Sequence, residues 1–165
     1  KIEDAHREVK ALAQLSQALL SDIRQAVSDI KQLSLSDEIA KDKALLEENG
    51  FNVTTNIDSS AEVRLSAKQE SQLALIIKEL TTNTLRYSKG NAVSLGLEAI
   101  GKTVKMTYKD NGVVENSTPL KEGNGLMGIR ERAASLSADV DISFSPTPVV
   151  TVQLNIEQTS SIGAA

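Results

Sequence analysis

The chain has 165 residues, 40% hydrophobic and 24% charged, which suits one globular domain with a real core plus an appendage. A net charge of −4 gives no broad nucleic-acid or membrane-binding surface, and the absence of cysteine removes disulfides, thiolate zinc sites and cysteine nucleophiles. The single histidine, His6, leaves little for histidine metal sites or catalytic triads, and no apolar run approaches the roughly 20 residues of a membrane helix.

The first segment reads as one long helix. Ile2, Val9, Ser16, Ile23 and Ile30 recur every seven residues, and Ala5, Leu12, Leu19, Ala26 and Leu33 form the companion series. Ala13, Leu20 and Val27 widen the seam, so the pattern predicts a helical bundle, most simply between two chains. Ser36-Asp37-Glu38 reads as a fresh helix start and Gly50 as its stop. Residues 51–57 alternate like a strand, and Asp58 to Ala61 reads as a polar turn. Ser66 and Gln69 fit a capping box that opens a helix running to about Tyr87. Two strands follow, with Val93, Leu95 and Leu97 on one face of the first and Val104, Met106 and Tyr108 on one face of the second. Gly101-Lys102 turns between them, residues 111–124 read as a flexible polar loop, and 126–136 as a helix. Strands over 140–144 and 149–156 and a loose tail, 158–165, complete the chain. The expected organisation is a bundle helix over 1–35, an α+β domain over 36–157 whose mixed sheet carries helices on one face, and the tail.

Three groups of residues carry candidate chemistry. Glu79 and Asn83 lie four apart on one helix, with Arg86 and Tyr87 continuing that face. A carboxylate and an amide oxygen there suit magnesium, while arginine and a phenol suit phosphate. Asp110-Asn111-Gly112 ends a strand, where an aspartate can accept from an amino group such as that of adenine; taken alone it is an ordinary turn. Gly123-Asn124-Gly125-Leu126-Met127-Gly128 runs into Ile129-Arg130-Glu131-Arg132, and four of the nine glycines (112, 123, 125, 128) fall in this region. Glycines permit close backbone approach, and a helix N-terminus seats phosphate. No Gly-Lys-Ser/Thr follows, so this is not a Walker loop.

In order and spacing these groups resemble the ATP-binding domain of sensor histidine kinases, the GHKL or Bergerat-type α/β sandwich. Glu79-Leu80-Thr81-Thr82-Asn83 resembles its N box, Asp110-Asn111-Gly112 its G1 box, and Gly123 to Arg132 its G2 box. The form Gly-x-Gly-Leu-x-Gly-Ile-Arg-Glu-Arg is typical of kinases paired with NarL/LuxR-type response regulators. The resemblance covers residues from about 8 to 156. It implies ATP and Mg2+ as cofactors, with Asn83 and Glu79 as metal and catalytic residues and Arg86 and Tyr87 on phosphate. It further implies Asp110 on the adenine amino group, Gly112 giving room for the base, and Gly123, Gly125, Leu126 and Gly128 on the phosphate side. It implies a homodimer through the N-terminal helix and a response-regulator receiver domain as partner, with no nucleic acid.

Three departures from the family pattern stand out: Val114 where a second glycine is usual, Tyr87 where a histidine is usual, and Pro148-Val149 where a Gly-Thr pair is usual. Thr151, two residues beyond Val149 on the same strand face, is the expected substitute for that threonine. His6 is followed by arginine rather than an acid, so it is expected to be a bundle residue and not the phosphoacceptor. The helix bearing the acceptor is expected upstream. The chain begins at Lys1 without methionine or a signal peptide, so it is expected to be the cytoplasmic piece of a longer protein, with any membrane anchor upstream. A serine kinase or ATPase on the same fold, and a non-catalytic dimerisation scaffold with a degenerate pocket, are the alternatives.

Overall fold

The computed structural model describes residues 9, 12–20, 23, 33–113 and 124–156. His6, Val114, Gly123 and the 158–165 tail lie outside the described residues. The chain divides into two units, Lys1–Leu33 and Ser34–Ala165. In the first, residues 12–20 are helical. Val9, Leu12, Leu19 and Ile23, all seam positions, are exposed there.

The second unit opens with α1 (Leu35–Glu48), which begins one residue earlier than the sequence pattern indicates. Ser34 rather than Ser36 is its cap, because the Ser34 hydroxyl accepts from the Asp37 N–H at 3.4 Å and leaves Leu35 free to be buried. Gly50, at φ +89°, takes the left-handed conformation that ends the helix. Strand β1 (Asn52–Ile57) follows. The expected turn at Asp58 is instead the cap of a six-residue helix, α2 (Ser59–Arg64): Asp58 Oδ1 accepts from the Ser60 N–H at 2.8 Å. That bonding holds the Asp58 carboxyl below the usual range.

Helix α3 (Ala67–Tyr87) starts at the predicted capping box, with Gln69 N–H on Ser66 Oγ at 3.2 Å and Ser66 N–H on Gln69 Oε1 at 2.9 Å. Its apolar stripe, Leu73, Ile76, Ile77 and Leu80, is buried. Then come β2 (Ala92–Ile100), β3 (Thr103–Asp110), α4 (Asn124–Ser135), β4 (Asp139–Ser143) and β5 (Val149–Asn155).

The five strands lie in the order β1-β2-β3-β5-β4. β1 runs parallel to β2, so the chain must cross over through α2 and α3 between them; every other pairing is antiparallel. Side chains alternate strictly. Val93, Leu95 and Leu97 of β2, Val104, Met106 and Tyr108 of β3, and Val150, Val152 and Leu154 of β5 are buried against the helices. The result is the expected α+β layer arrangement, a mixed sheet with helices on one face.

One part of that core is polar. Glu38 and Asp42, one turn apart on α1, are 6% and 3% exposed. Burial, reinforced by the neighbouring Glu38 charge, pushes the Asp42 carboxyl up to about 6, against small opposing effects of the Thr81 hydroxyl, Lys41 and Lys78. Asp42 Oδ2 and Thr81 Oγ1 are both buried without a hydrogen-bond partner. Tyr108 Oη and Thr84 Oγ1 do bond, at 3.0 Å. Burial first, with Asp110 and Asp42 adding to it, pushes the Tyr108 phenol up to about 12.

Candidate nucleotide and metal site

The metal side is built on α3. At 3.6 residues per turn, Glu79, Asn83 and the pair Arg86-Tyr87 follow one another along one face. Glu79 and Asn83 are half-buried, whereas Arg86 and Tyr87 stand exposed at the end of the helix. The first turn of α4 lies across this face. A Cβ on Gly125 would collide with Glu79 Oε1, and it would stand 3.2 Å from Glu79 Cδ and 3.5 Å from Asn83 Nδ2. Glycine at this position leaves the Glu79 carboxylate its place against the α4 backbone. Two motifs more than forty residues apart in the chain therefore meet side by side. Leu126 is partly buried in the same turn, and Gly128 has open space where a side chain would go.

The two helices touch again farther along. Arg132 Nη1 donates to Gln72 Oε1 at 3.2 Å, with Ile129 and Ala133 of α4 fully buried nearby. Burial holds the Arg132 guanidinium below the usual arginine range, and the negative charge of Glu79 works against that shift.

Asp110, 5% exposed at the end of β3, belongs to the helix-covered face, as the alternation from Val104 through Tyr108 requires. Its Oδ1 accepts from Ser88 Oγ at 2.6 Å and from the Gly112 N–H at 2.8 Å. Ser88 Oγ in turn accepts from the Gly90 N–H at 2.9 Å. Asn111 completes the stitching: its Oδ1 accepts from the Asn91 and Ala92 N–H groups, each at 2.9 Å, and its Nδ2 donates to Asn91 Oδ1 at 2.9 Å. A Cβ on Gly112 would stand 2.6 Å from Ser88 Oγ and 2.9 Å from the Gly90 nitrogen. Gly112 is thus packed closely against the 88–90 turn on the side where a side chain would project.

Thr151 is not brought to the site. It pairs with Thr107, and both occupy alternate strand positions to the buried Val150, Val152, Met106 and Tyr108. The period of two turns Thr151 to the opposite face of the sheet from Asp110, and Val150 is the β5 residue on the helix side. Ser88, Gly90 and Gln72 are structural partners of the site that the sequence does not single out, and Arg132, the last residue of the third motif, is the partner of Gln72. Gln72 carried a signal, since it stands one helical turn before Ile76 on the apolar stripe. Ser88-Lys89-Gly90 carried none beyond that of a helix stop.

The residues present suit a hard cation beside phosphate. A carboxylate and an amide stand together under the α4 backbone, where Gly125 leaves the carboxylate its room. Among the described residues no three Asp, Glu, His or Cys side chains converge, so phosphate and water would supply the remaining ligands.

No family model matches the chain. It is 31% identical over 133 residues to the sensor histidine kinase DesK of Bacillus subtilis (strain 168), an alignment covering 79% of this chain and 35% of that protein. The chain is a relative of the sensor histidine kinases. It is also 26% identical over 166 residues to the signal transduction histidine-protein kinase/phosphatase DegS of Brevibacillus brevis, covering 96% of this chain and 43% of that one. It thus spans less than half the length of these kinases. In fold it is similar to the histidine kinase domain of the blue-light activated histidine kinase of Erythrobacter litoralis EL346. The TM-score is 0.61 at 14% identity, over 74% of this chain and 59% of that one. No helix among the described residues is long and apolar enough to cross a membrane.

Proposed function

We propose that this chain is the ATP-binding catalytic region of a two-component sensor histidine kinase. The region transfers the γ-phosphoryl group of ATP to a histidine other than His6, for relay to an aspartate on a response regulator of the NarL/LuxR-associated type. Residues 1–35 serve as a helix of the dimerisation bundle, 36–157 as the catalytic domain and 158–165 as a tail. The observation that carries the reading is the meeting of Glu79, Asn83 and Gly125, with Asp110 fixed on the same side of the sheet.

Magnesium held there would supply charge neutralisation at the transferred phosphoryl group, a large part of the electrostatic stabilisation in such a reaction. Asn83 and Glu79 would hold the ion from α3. Arg86 and Tyr87, at the exposed end of the same face, reach phosphate oxygens. The backbone of α4, from Asn124 and Gly125 onward, offers its unpaired N–H groups and positive dipole end to phosphate, with Gly123 assigned to the same side by the motif. Asp110 accepts from the adenine amino group. Its orientation is set beforehand by Ser88 and Gly112, so little ordering is left for the binding step.

Calorimetry with ADP in the presence and absence of magnesium tests the reading. Asn83→Ala should lower the magnesium-dependent affinity by about tenfold or more. Unchanged affinity refutes the metal role. Incubation with γ-labelled ATP should leave His6 unlabelled, and acid-labile label on that residue refutes the assignment of the acceptor elsewhere.

A further inference from the structure

Helices α3 and α4 are fastened at two points. Gly125 lies on Glu79, and Arg132 lies on Gln72. Gly125 and Arg132 are seven residues apart on α4, and Gln72 and Glu79 are seven apart on α3, in the opposite chain direction. The helices are therefore antiparallel, and the two fastenings fix one register between them. Seven residues of helix span about 10 Å.

The second fastening is built from residues that a packing role alone would not select. Gln72 is 1% exposed, and its Nε2 has no hydrogen-bond partner. A carboxamide so deep is costly unless it is used. Its Oε1 is used, by a guanidinium that is itself drawn partly out of water. Side chains lean toward the N-terminus of their helix, which for Arg132 is the Gly125 end of α4. The Glu79 charge is the first of the two negative charges that bear on Arg132, ahead of adjacent Glu131.

We propose that Arg132, seated on Gln72, is a positioning residue for the metal side of the site. It locks the first turn of α4 over α3 through its bond to Gln72, and its positive charge bears on Glu79 from one end of that register, so that the carboxylate stays where it shares an ion with Asn83. This rests on the magnesium-nucleotide reading given above. Gln72 acts through Arg132, by fixing where the guanidinium sits.

The test uses the whole 165-residue chain. ADP affinity is measured by calorimetry in magnesium chloride and in EDTA, with melting temperature recorded alongside. The variants are Arg132→Met, Arg132→Lys and the double variant Arg132→Met/Gln72→Leu. The double variant replaces the polar pair with an apolar one, removes the orphaned amide and keeps the helix packing. The expected result is a loss of about tenfold in magnesium-dependent affinity for Arg132→Met, the scale of a lost partner behind a metal ligand. Affinity in EDTA should change less than about twofold, Arg132→Lys should recover part of the loss, and the double variant should melt near wild type yet bind magnesium-ADP as weakly as Arg132→Met. Wild-type magnesium dependence in the double variant would show that Arg132 only packs, and the proposal falls. Equal losses with and without magnesium also overturn it, since the effect would then lie on the nucleotide itself. If Arg132→Met fails to fold, Arg132→Lys and the double variant decide between the same outcomes. If the wild-type chain binds ADP without any magnesium dependence, the underlying reading fails as well, and that control separates the two failures.

Discussion

Replacing Asp42 by asparagine should stabilise the catalytic unit at neutral pH. Asp42 is 3% exposed, its Oδ2 has no partner, and its carboxyl sits at about 6 against an ordinary 3.8. A raised carboxyl pKa means that folding penalises the ionised form. The penalty is complete above the folded value near 6, shrinks as pH falls through it, and is gone below 3.8. At about 1.4 kcal/mol per pH unit, the full penalty is about 3 kcal/mol. Asparagine is isosteric, carries no charge and offers an N–H to the orphaned Thr81 Oγ1. Urea unfolding of wild type and Asp42→Asn, at pH 8 and at pH 4.5, measures the difference. The variant should be more stable by about 2–3 kcal/mol at pH 8 and by less than about 1 kcal/mol at pH 4.5. A variant that is less stable at pH 8, or a gap that does not change with pH, would refute the argument, because it would mean that Asp42 is paired or hydrated well beyond the small effect of the Thr81 hydroxyl.

Three further outcomes follow from the site. Ser88→Ala removes one of the two donors on Asp110 Oδ1 and should cost about 1–3 kcal/mol in urea unfolding, together with a measurable loss of ADP affinity. Gly125→Ala drives a methyl group into the end of a flexible side chain, so thermal stability should fall by less than about 1 kcal/mol while Glu79 is displaced; magnesium-dependent ADP affinity should drop about tenfold in calorimetry. Thr151→Val, on the sheet face away from Asp110, should leave ADP affinity within about twofold of wild type.

Much of the catalytic unit was legible in its sequence, and the reasons are local. The Ser66-Gln69 capping box, the Gly50 stop and the alternation of Val93, Leu95 and Leu97 each act within a few residues, where propensity and period speak directly. The short helix after Asp58 was missed because a capping aspartate and a turn aspartate look alike until the following residues pack; Ala61, fully buried, decides it. Glu79, Asn83 and Gly125 could be nominated from residue type and spacing. Their contact depends on how α4 crosses α3, which no local pattern encodes. Thr151 does share a strand face with Val149, as the spacing implies, but which face of β5 turns toward the helices is set by its pairing with β3, and that pairing turns Thr151 away from Asp110. A slip of one residue reverses a side chain's direction. The buried Glu38-Asp42 pair went unread because two acids in the first turns of a helix ordinarily face water and favour its dipole.

The parallel pairing of β1 with β2 has a consequence for how the unit comes apart. Asn52 opposite Ala92 closes a loop of forty residues, whereas β2 and β3 are joined by a tight hairpin at Ile100 and Thr103. β1 is also an edge strand with a single neighbour, and the helix before it buries two carboxylates. The stretch from Leu35 to Ile57 should therefore release readily, and its amides should exchange with solvent deuterium before those of β2, β3 and β5. Glu79, Asn83, Asp110 and Gly125 all lie outside that stretch. The opening therefore leaves the residues of the candidate pocket on the part that stays folded, and the part that detaches is the one joined by the chain to the N-terminal helical unit.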